Sequence, residues 1–419
     1  MKPLAITIVG AGIVGAAAAY VLTRAGHRVT LLEARDAPGQ LTSFANGAQL
    51  SYSYVEPLAS PATLRKLPAM LLDRQSPLKL RLTGEWAQLS WGLRFLRACN
   101  PRQVHRATEA LLRLSFASRD ELAAACEADD LRFHHAVAGK LVVVDSPAAL
   151  AAARRQVDCQ RALGCEQHVL DTDACLDREP ALAAYRAHVA GGVWTPGEAV
   201  GDAWLLTREL VDRVRAMGGT VRYQARVAAL RTQGRRVTGL RLESGEELPA
   251  GDAVVLASGS DAPVLARPLG VKLPLYPVKG YSITLPVVDE RLAPRVSVTD
   301  LRRKTVYAPL PGRLRIAGMA ELVGPDLRVD PERIAQLLAA AHDTFPGACD
   351  ASADPQPWSG LRPCTPTSLP VIGRTPVDNL LVDVGHGSLG LTLAMGSARL
   401  IERCLAGDDR PARHFAYAG

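Results

Sequence analysis

The first 35 residues alternate between short apolar runs and one helix-compatible stretch. Leu4–Val9 is an apolar run of strand length, and an alanine-rich stretch follows it as far as Gly26. Arg28–Glu33 is a second run of strand length. The uncharged stretch Leu4–Leu22 has the length of a membrane span, but it contains three glycines, which weaken a spanning helix. The pattern therefore predicts strand, turn, helix and strand.

Two later stretches repeat the pattern of a buried strand that runs into a glycine turn. Asp252–Gly259 is the first and Leu380–Gly387 is the second, which is followed by a helix-compatible run, Leu389–Leu405. Units of this kind build sheets with helices on their faces. We therefore expect the three pieces to form one discontinuous domain.

The chain between these pieces forms two insertions with a different pattern. The first has helix-compatible stretches at Pro61–Arg81 and Ala107–Ala128 and a strand at Lys140–Asp145. The second has three runs that predict an antiparallel sheet walling a pocket: Tyr281–Leu285, Thr305–Leu310 and Leu314–Ala317. We expect the two insertions to form one second domain.

A dinucleotide-binding fingerprint lies between the first strand and the first helix. Residues 10–15 read G-x-G-x-x-G, and a carboxylate, Glu33, closes the second strand roughly 20 residues later. The glycines allow a tight turn and a close approach to a pyrophosphate, while the helix N-terminus attracts its negative charge. A carboxylate at Glu33 accepts hydrogen bonds from ribose hydroxyls and repels a 2′-phosphate. The cofactor is predicted to be a dinucleotide.

The fold class that follows is α/β, with a discontinuous Rossmann-like nucleotide domain and a second α+β domain that contains an antiparallel sheet. Within the nucleotide domain, Asp202 is placed to cap a helix, Ala203–Met217, and Val221–Val227 is predicted to be the strand on the adenine side. The nucleotide domain is assigned residues 1–50, 196–264 and 356–419, and the substrate domain residues 51–195 and 265–355.

Composition excludes several classes of function. The 49 basic and 42 acidic residues leave a formal net charge of +7, but the basic residues are scattered, so nucleic-acid binding is not indicated. A mild positive balance favours anionic small molecules and anionic membrane surfaces. The eight cysteines show no metal-type spacing, which favours reduced thiols in the cytoplasm and no metal site.

Several blocks in a fixed order resemble the FAD-dependent D-amino-acid oxidase/dehydrogenase superfamily, and most closely its bacterial D-amino-acid dehydrogenases. Besides the fingerprint and Glu33, these blocks are Leu41–Gln49, Leu275–Ser282, Gly318–Glu321, Trp358–Pro363 and Gly385–Gly390. The resemblance runs nearly from end to end. It implies that the dinucleotide is FAD, that the substrate is a D-amino acid and that electrons pass to a quinone or another respiratory acceptor.

The resemblance also implies a set of FAD-binding residues in the fingerprint, in the loop that runs along the flavin ring and in the later glycine turns. A helix N-terminus at the last turn would stabilise negative charge on the flavin. The predicted set is Gly10, Gly12, Ile13, Val14, Gly15, Glu33, Ala34, Arg35, Ser43, Asn46, Gly47, Ala48, Gln49, Val227, Ser258, Gly259, Gly360, Gly385, Gly387, Ser388, Leu389 and Gly390.

Arg362 is the leading candidate for substrate binding. A guanidinium holds an α-carboxylate with two parallel hydrogen bonds and aligns the α-carbon; the alternative is an arginine that bridges the two domains. Tyr54 and Tyr281 are weaker candidates, since a tyrosine is more often part of a core or an interface. His386 either orients the substrate or fills a turn. No proton-abstracting base is required if the amine binds in its neutral form.

Other functions share these features. A glycine/sarcosine-type amine oxidase would use oxygen directly, and an FAD-binding subunit of a larger complex or an FAD-bearing sensor without turnover would have the same fold. The run Leu64–Arg74, continued by Lys79 and Arg81, mixes apolar and basic residues as interfacial helices do, although a core-facing helix also has this pattern. It predicts a cytoplasmic protein with a peripheral contact to the inner membrane.

Overall fold

The computed structural model describes residues 2–418 except 56, 66–75, 77 and 82–83. In this part of the chain we number the α-helices as α1 Ile13–Arg24, α2 Trp86–Ala98, α3 Pro101–Asp129, α4 Pro147–Arg161, α5 Thr172–Arg178, α6 Ala203–Ala216, α7 Ala262–Ala266, α8 Pro331–Thr344 and α9 Gly390–Leu405. Short 3₁₀ helices cover Pro180–His188, Gly259–Asp261, Arg267–Leu269 and Gly387–Leu389.

The strands, in chain order, form a six-stranded, a nine-stranded, a three-stranded and a two-stranded sheet. They are β1 Ala5–Val9, β2 Arg28–Leu32, β3 Gln49–Leu50, β4 Leu78–Leu80, β5 Lys140–Val144, β6 His168–Leu170, β7 Gly191–Thr195, β8 Ala199–Val200, β9 Thr220–Arg222, β10 Val227–Gln233, β11 Arg236–Leu242, β12 Glu247–Pro249, β13 Ala253–Leu256, β14 Tyr276–Pro286, β15 Ser297–Asp300, β16 Thr305–Leu310, β17 Arg313–Leu322, β18 Trp358–Cys364, β19 Val371–Arg374 and β20 Leu380–Val384.

The six-stranded sheet carries the glycine fingerprint of residues 10–15 at the end of its strand β1. Its order is β19-β20-β13-β1-β2-β9, and all neighbours are parallel except β19 and β20. Ile6 lies opposite Val29 on one side and Ala253 on the other, so the strands predicted from the three separated stretches pair directly. The predicted α/β fold class and the strand–helix–strand start are confirmed.

Helices α1 and α9 pack on this sheet, and small residues in α1 permit a close approach. Residues 16–19 of α1 are four consecutive buried alanines, and α1 packs against α9. The buried face of α3, which includes Ala107 and Leu111, packs on α9 in the same core cluster. The helix predicted at 107–128 therefore exists, and it lies against the nucleotide-binding layer.

The nine-stranded sheet forms the opposite wall of the molecule. Its order is β18-β14-β17-β16-β15-β5-β7-β6, and β4 pairs with β17. Most pairs are antiparallel, as predicted, but β5–β15 and β4–β17 are parallel. Both insertions contribute strands, and β18 comes from the segment assigned to the nucleotide domain. The division into two domains stays a prediction.

Two local predictions differ from the structure. The predicted single strand Val221–Val227 is divided between β9 and β10, because the backbone turns through a left-handed residue, Gln224, with φ 53°. The predicted helix Pro61–Arg81 is helical at residues 61–65, most of the remainder lies outside the described residues, and 78–80 form strand β4. The helix predicted after Asp202 is confirmed. The Asp202 carboxylate caps it by accepting hydrogen bonds from the amides of Trp204 (3.0 Å) and Leu205 (3.2 Å).

Candidate active site

The glycine turn before α1 is tight enough to require two of its glycines. Gly10 has φ 102°, and its amide donates to the carbonyl of Leu32 at 2.8 Å. A Cβ on Gly15 would overlap the carbonyl oxygen of Gly10. These two glycines are therefore explained by the turn and by helix–strand packing.

Gly12 is different, because the protein leaves room in front of it. A Cβ there would meet only the hydroxyl oxygen of Ser43, at an ordinary contact distance of 3.5 Å. The Ser43 hydroxyl accepts a hydrogen bond from the amide of Ile13 (3.0 Å) and keeps its own proton to donate. Val14 continues the first turn of α1. Open space before a helix N-terminus fits the pyrophosphate of a dinucleotide.

The Glu33 carboxylate is buried and completes this turn. It accepts hydrogen bonds from the amides of Ala11 (2.8 Å) and Arg35 (2.9 Å), and each carboxylate oxygen retains a lone pair for a ribose hydroxyl. Ala34 lies between these contacts. The site therefore fits the ADP half of FAD.

Other predicted FAD contacts gather at the same edge of the sheet. Val227 packs in a core cluster with Val9, at the end of β1. Ser258 precedes Gly259, which has φ 55°. The backbone of Ser258 lies close to Gly10, since a Cβ built on Gly10 would be only 3.0 Å from the Cα of Ser258. The structure thus brings this turn against the fingerprint.

Residues 42–49, which we call the crossing loop, run across the strands of the large sheet. Thr42 donates to the carbonyl of Leu361 on β18, and the side chain of Gln49 contacts Ser297 on β15 and Lys140 on β5. Asn46 accepts a hydrogen bond from the amide of Ala48 (3.0 Å), which supports the left-handed backbone of Ala48 at φ 53°. Gly47 lies flat on the sheet, since a Cβ there would be 3.2 Å from Val306.

The N-terminus of α9 lies beside that of α1. A Cβ on Gly390 would be 3.8 Å from Ile13, so the positive ends of two helix dipoles are adjacent. Gly385 and Gly387 both have positive φ, 86° and 56°, and Ser388 and Leu389 complete the turn that leads into α9. This arrangement fits an anionic cofactor.

His386 lies within that turn. Its Nε2 atom lies 3.4 Å from the carboxylate of Asp383, and both side chains are buried. Because Nε2 faces the interior, the geometry favours the role of filling the turn over the role of orienting a substrate.

Arg362 lies on β18, and its guanidinium covers Gly280 of the neighbouring strand β14. A Cβ on Gly280 would overlap this guanidinium. Its Nη1 donates to the carbonyl of Met319 at 2.8 Å. Met319 has φ 64° in an irregularity between β14 and β17, which turns this carbonyl toward the guanidinium. Burial lowers the pKa of the Arg362 guanidinium. Among the described residues, no carboxylate lies within ion-pair distance of it.

A tryptophan that the sequence pattern did not indicate, Trp358, lies beside Arg362 on the same strand. Gly280 pairs with Gly360 across the two strands, and the indole of Trp358 covers Gly360 as Arg362 covers Gly280. Trp358, Gly360 and Arg362 alternate onto one face of β18. The glycine pair is thus the floor of a shallow site with an aromatic ring and a cation over it.

The structure does not bring Tyr281 to this site. It follows Gly280 on β14 and therefore points to the opposite face, where its hydroxyl donates to Glu321 at 2.9 Å. Glu321 in turn pairs with Arg333 of α8 at 2.8 Å. Tyr281 is therefore packed in the core, and its role as a substrate contact stays a prediction.

Tyr54 lies in a second buried polar cluster that the sequence did not reveal. Its ring is 4.4 Å from the ammonium of Lys140, which also donates to Gln49 (3.0 Å) and Ser51 (2.8 Å). Burial lowers the pKa of Lys140 to about 8. A buried carboxylate, Glu198, accepts the amides of residues 52–54. Four strands separate β5 from β18, so Tyr54 as a substrate contact stays a prediction.

Comparison with known proteins places the whole chain in one family. A family model described as FAD dependent oxidoreductase (DAO) matches residues 5–403. The chain is 48% identical to D-amino acid dehydrogenase 2 of Ralstonia nicotianae over 410 residues, 96% of each chain. It is 44% identical to D-amino acid dehydrogenase 2 of Pseudomonas aeruginosa over 398 residues, covering 94% of this chain and 93% of that protein.

Solved structures share the fold at low sequence identity. Glycine oxidase from Geobacillus kaustophilus superposes with a TM-score of 0.77 at 22% identity, over 99% of both chains. L-proline dehydrogenase from P. horikoshii has a TM-score of 0.75 at 16% identity, covering 97% of this chain and 94% of that one. The family model spans nearly the whole chain, and the chain therefore belongs to the FAD-dependent oxidoreductases of the DAO family.

Proposed function

We propose that this enzyme oxidatively deaminates D-amino acids to 2-oxo acids and ammonia. The observation that carries the proposal is the Arg362 guanidinium, which covers the glycine floor without a carboxylate partner among the described residues. A part-buried guanidinium without a carboxylate partner can bind an anion, and an α-carboxylate fits its two-point geometry. The relatives named D-amino acid dehydrogenase support the same substrate class.

Each part of the proposed site has a separate task. Bound FAD supplies the acceptor for the hydride that leaves the α-carbon. The Met319 carbonyl fixes one nitrogen of Arg362, so the other nitrogens are held in place to bind the carboxylate and orient the α-carbon. Trp358 shields the floor beside it. The amine binds in its neutral form, having lost its proton to solvent, so its lone pair assists departure of the hydride. The imino acid that leaves the site is hydrolysed by water to the 2-oxo acid and ammonia.

The substrate class is tested by anaerobic mixing of the FAD-loaded protein with single D- and L-amino acids. We expect D-amino acids to bleach the flavin absorbance and their L-enantiomers to leave it unchanged. Bleaching by glycine or sarcosine alone would support the amine-oxidase alternative and contradict the proposal.

We further propose that a quinone, and not oxygen, takes the electrons. The relatives named D-amino acid dehydrogenase support this acceptor. We expect a soluble quinone analogue or a redox dye to reoxidise the protein much faster than air-saturated buffer in stopped-flow traces. Rapid peroxide formation equal to the substrate consumed would contradict this acceptor.

A helix with two apolar faces supports contact with a membrane. At 100° per residue, the buried face of α2, with Trp91 and Phe95, is opposite a stripe of exposed apolar side chains. The exposed fractions along this stripe are Trp86 76%, Leu89 46%, Leu93 54% and Leu96 44%. Arg94 and Arg97 flank it and are exposed. In the described residues no helix is long and apolar enough to cross a bilayer.

We propose that this face of α2 rests on the anionic inner surface of the membrane that holds the quinone. The protein is expected to cosediment with phosphatidylglycerol vesicles and much less with phosphatidylcholine vesicles. Leu93→Glu should weaken this binding by about tenfold or more, since it removes one apolar anchor and adds a repelled charge.

The matched control is Val264→Glu, because Val264 is 72% exposed and lies on a different helix, α7. It should bind vesicles like the unmodified protein. Equal loss in both variants, or equal binding to neutral vesicles, would contradict a specific docking face. The predicted interfacial run at residues 64–74 lies mostly outside the described residues.

A further inference from the structure

Two backbone carbonyls of the crossing loop are held by side chains of the large sheet. The Ser282 hydroxyl on β14 donates to the carbonyl of Ala45 at 2.6 Å. Nη1 of Arg315 on β17 donates to the carbonyl of Asn46 at 3.1 Å. Both carbonyls therefore point toward the side chains that rise from the sheet.

Arg315 is itself fixed from two other elements. It is only 5% exposed, its Nε donates to the Thr284 hydroxyl at 2.6 Å, and its Nη2 lies 3.7 Å from the carboxylate of Asp202, the N-cap of α6. Burial lowers the pKa of this guanidinium, which Asp202 partly offsets. The planar guanidinium of Arg315 therefore links the large sheet, the N-terminus of α6 and the crossing loop, and these three contacts fix its orientation.

The fixed carbonyls determine where the neighbouring amides point. In a trans peptide the N–H is directed opposite to the carbonyl of the same unit. The amides of Asn46 and Gly47 therefore point away from Ser282 and Arg315, toward the open side of the loop. Within the described part of the chain, neither amide donates to another protein group. The loop lies close to the sheet at this point, since a Cβ built on Gly47 would be 3.2 Å from Val306.

We infer that Arg315 and Ser282 are positioning residues that direct the amides of Asn46 and Gly47 at a ring carbonyl oxygen of FAD. Two preorganised N–H groups stabilise negative charge on such an oxygen without reorganisation. Because no protein group in the described part of the chain accepts a hydrogen bond from either N–H, both are free to donate to the cofactor. The inference rests on the proposed placement of the flavin along the crossing loop, and it is independent of the identity of the substrate.

The test uses Ser282→Ala and Arg315→Lys, each reconstituted with FAD labelled with ¹³C at its ring carbonyls. We expect one carbonyl stretching band to move to higher wavenumber in the infrared difference spectrum, because its hydrogen bonds weaken. The dissociation constant of FAD should rise by about tenfold in Ser282→Ala, and further in Arg315→Lys. An ammonium cannot reach the three partners of the guanidinium.

Ser359→Ala is the matched control, because Ser359 also donates to a loop carbonyl, that of Leu327, at 2.6 Å, but on the other face of the sheet. It should leave the band and the FAD affinity unchanged. If Ser282→Ala folds and its bands coincide with those of the control, the inference is wrong, even when activity falls. If Arg315→Lys fails to fold, Ser282→Ala decides alone. A wild-type protein that binds no FAD would instead contradict the cofactor assignment.

Discussion

Replacing Arg362 by alanine is expected to nearly abolish reduction of the flavin by D-amino acids while FAD binding stays normal. One guanidinium supplies both the affinity for the α-carboxylate and the alignment of the α-carbon, so truncation should cost about 2–5 kcal/mol, as for other buried charge partners. This corresponds to a loss of roughly 30-fold to several thousand-fold in the second-order rate constant. Arg362→Lys should recover little, because an ammonium keeps the charge but not the two-point contact.

Single-turnover reduction over a series of substrate concentrations separates the two effects. We expect the lysine variant to raise the half-saturating concentration and also to lower the limiting rate, since misalignment slows the hydride step. Arg328→Ala is a suitable control, because that guanidinium is 84% exposed and pairs with Asp326 at the surface. Near-normal reduction by Arg362→Ala with intact FAD would show that the carboxylate is bound elsewhere.

Local sequence predicts the strand, turn and helix that carry the proposed nucleotide-binding residues. The glycine turn, Ser43 and Glu33 lie within 34 residues of one another, from Gly10 to Ser43, and their spacing reflects a strand, a turn and a helix that follow directly in the chain. The adenine-side strand was harder to predict, because its division at Gln224 depends on one left-handed residue that is neither glycine nor asparagine.

The substrate side could not be predicted in the same way. Strand β14 is buried on both faces, so polarity does not reveal which residues share the face of Gly280, nor that Tyr281 lies on the opposite face. The partners of Arg315 and Lys140 in the crossing loop are 269 and 91 residues distant in sequence. Such contacts leave no local pattern, and only the order of strands in the sheet brings them together.

Replacing Gly12 by valine is expected to yield a folded protein that binds almost no FAD. The structure itself tolerates a Cβ at this position, since its nearest neighbour is the Ser43 hydroxyl at 3.5 Å, so the added side chain fills space that the protein does not use. A pyrophosphate held by the amides of α1 needs that space. We expect the dissociation constant of FAD to rise roughly 100-fold. The corresponding loss of binding free energy lies toward the upper end of what overpacking costs in protein interiors. Titration of the apoprotein with FAD, followed by flavin fluorescence, measures this change.

Gly15→Ala is the informative comparison, because a Cβ there overlaps the carbonyl of Gly10 whether or not cofactor is present. Its apoprotein should melt at a lower temperature than the wild-type apoprotein, whereas apo Gly12→Val should melt close to wild type. Adding FAD should raise the melting temperature of the wild-type protein and leave that of Gly12→Val nearly unchanged, since a ligand stabilises the native state only in proportion to its binding. Normal FAD content in purified Gly12→Val would remove this glycine from the pyrophosphate site. A lowered melting temperature of its apoprotein would show that the space in front of α1 serves the fold and not the cofactor.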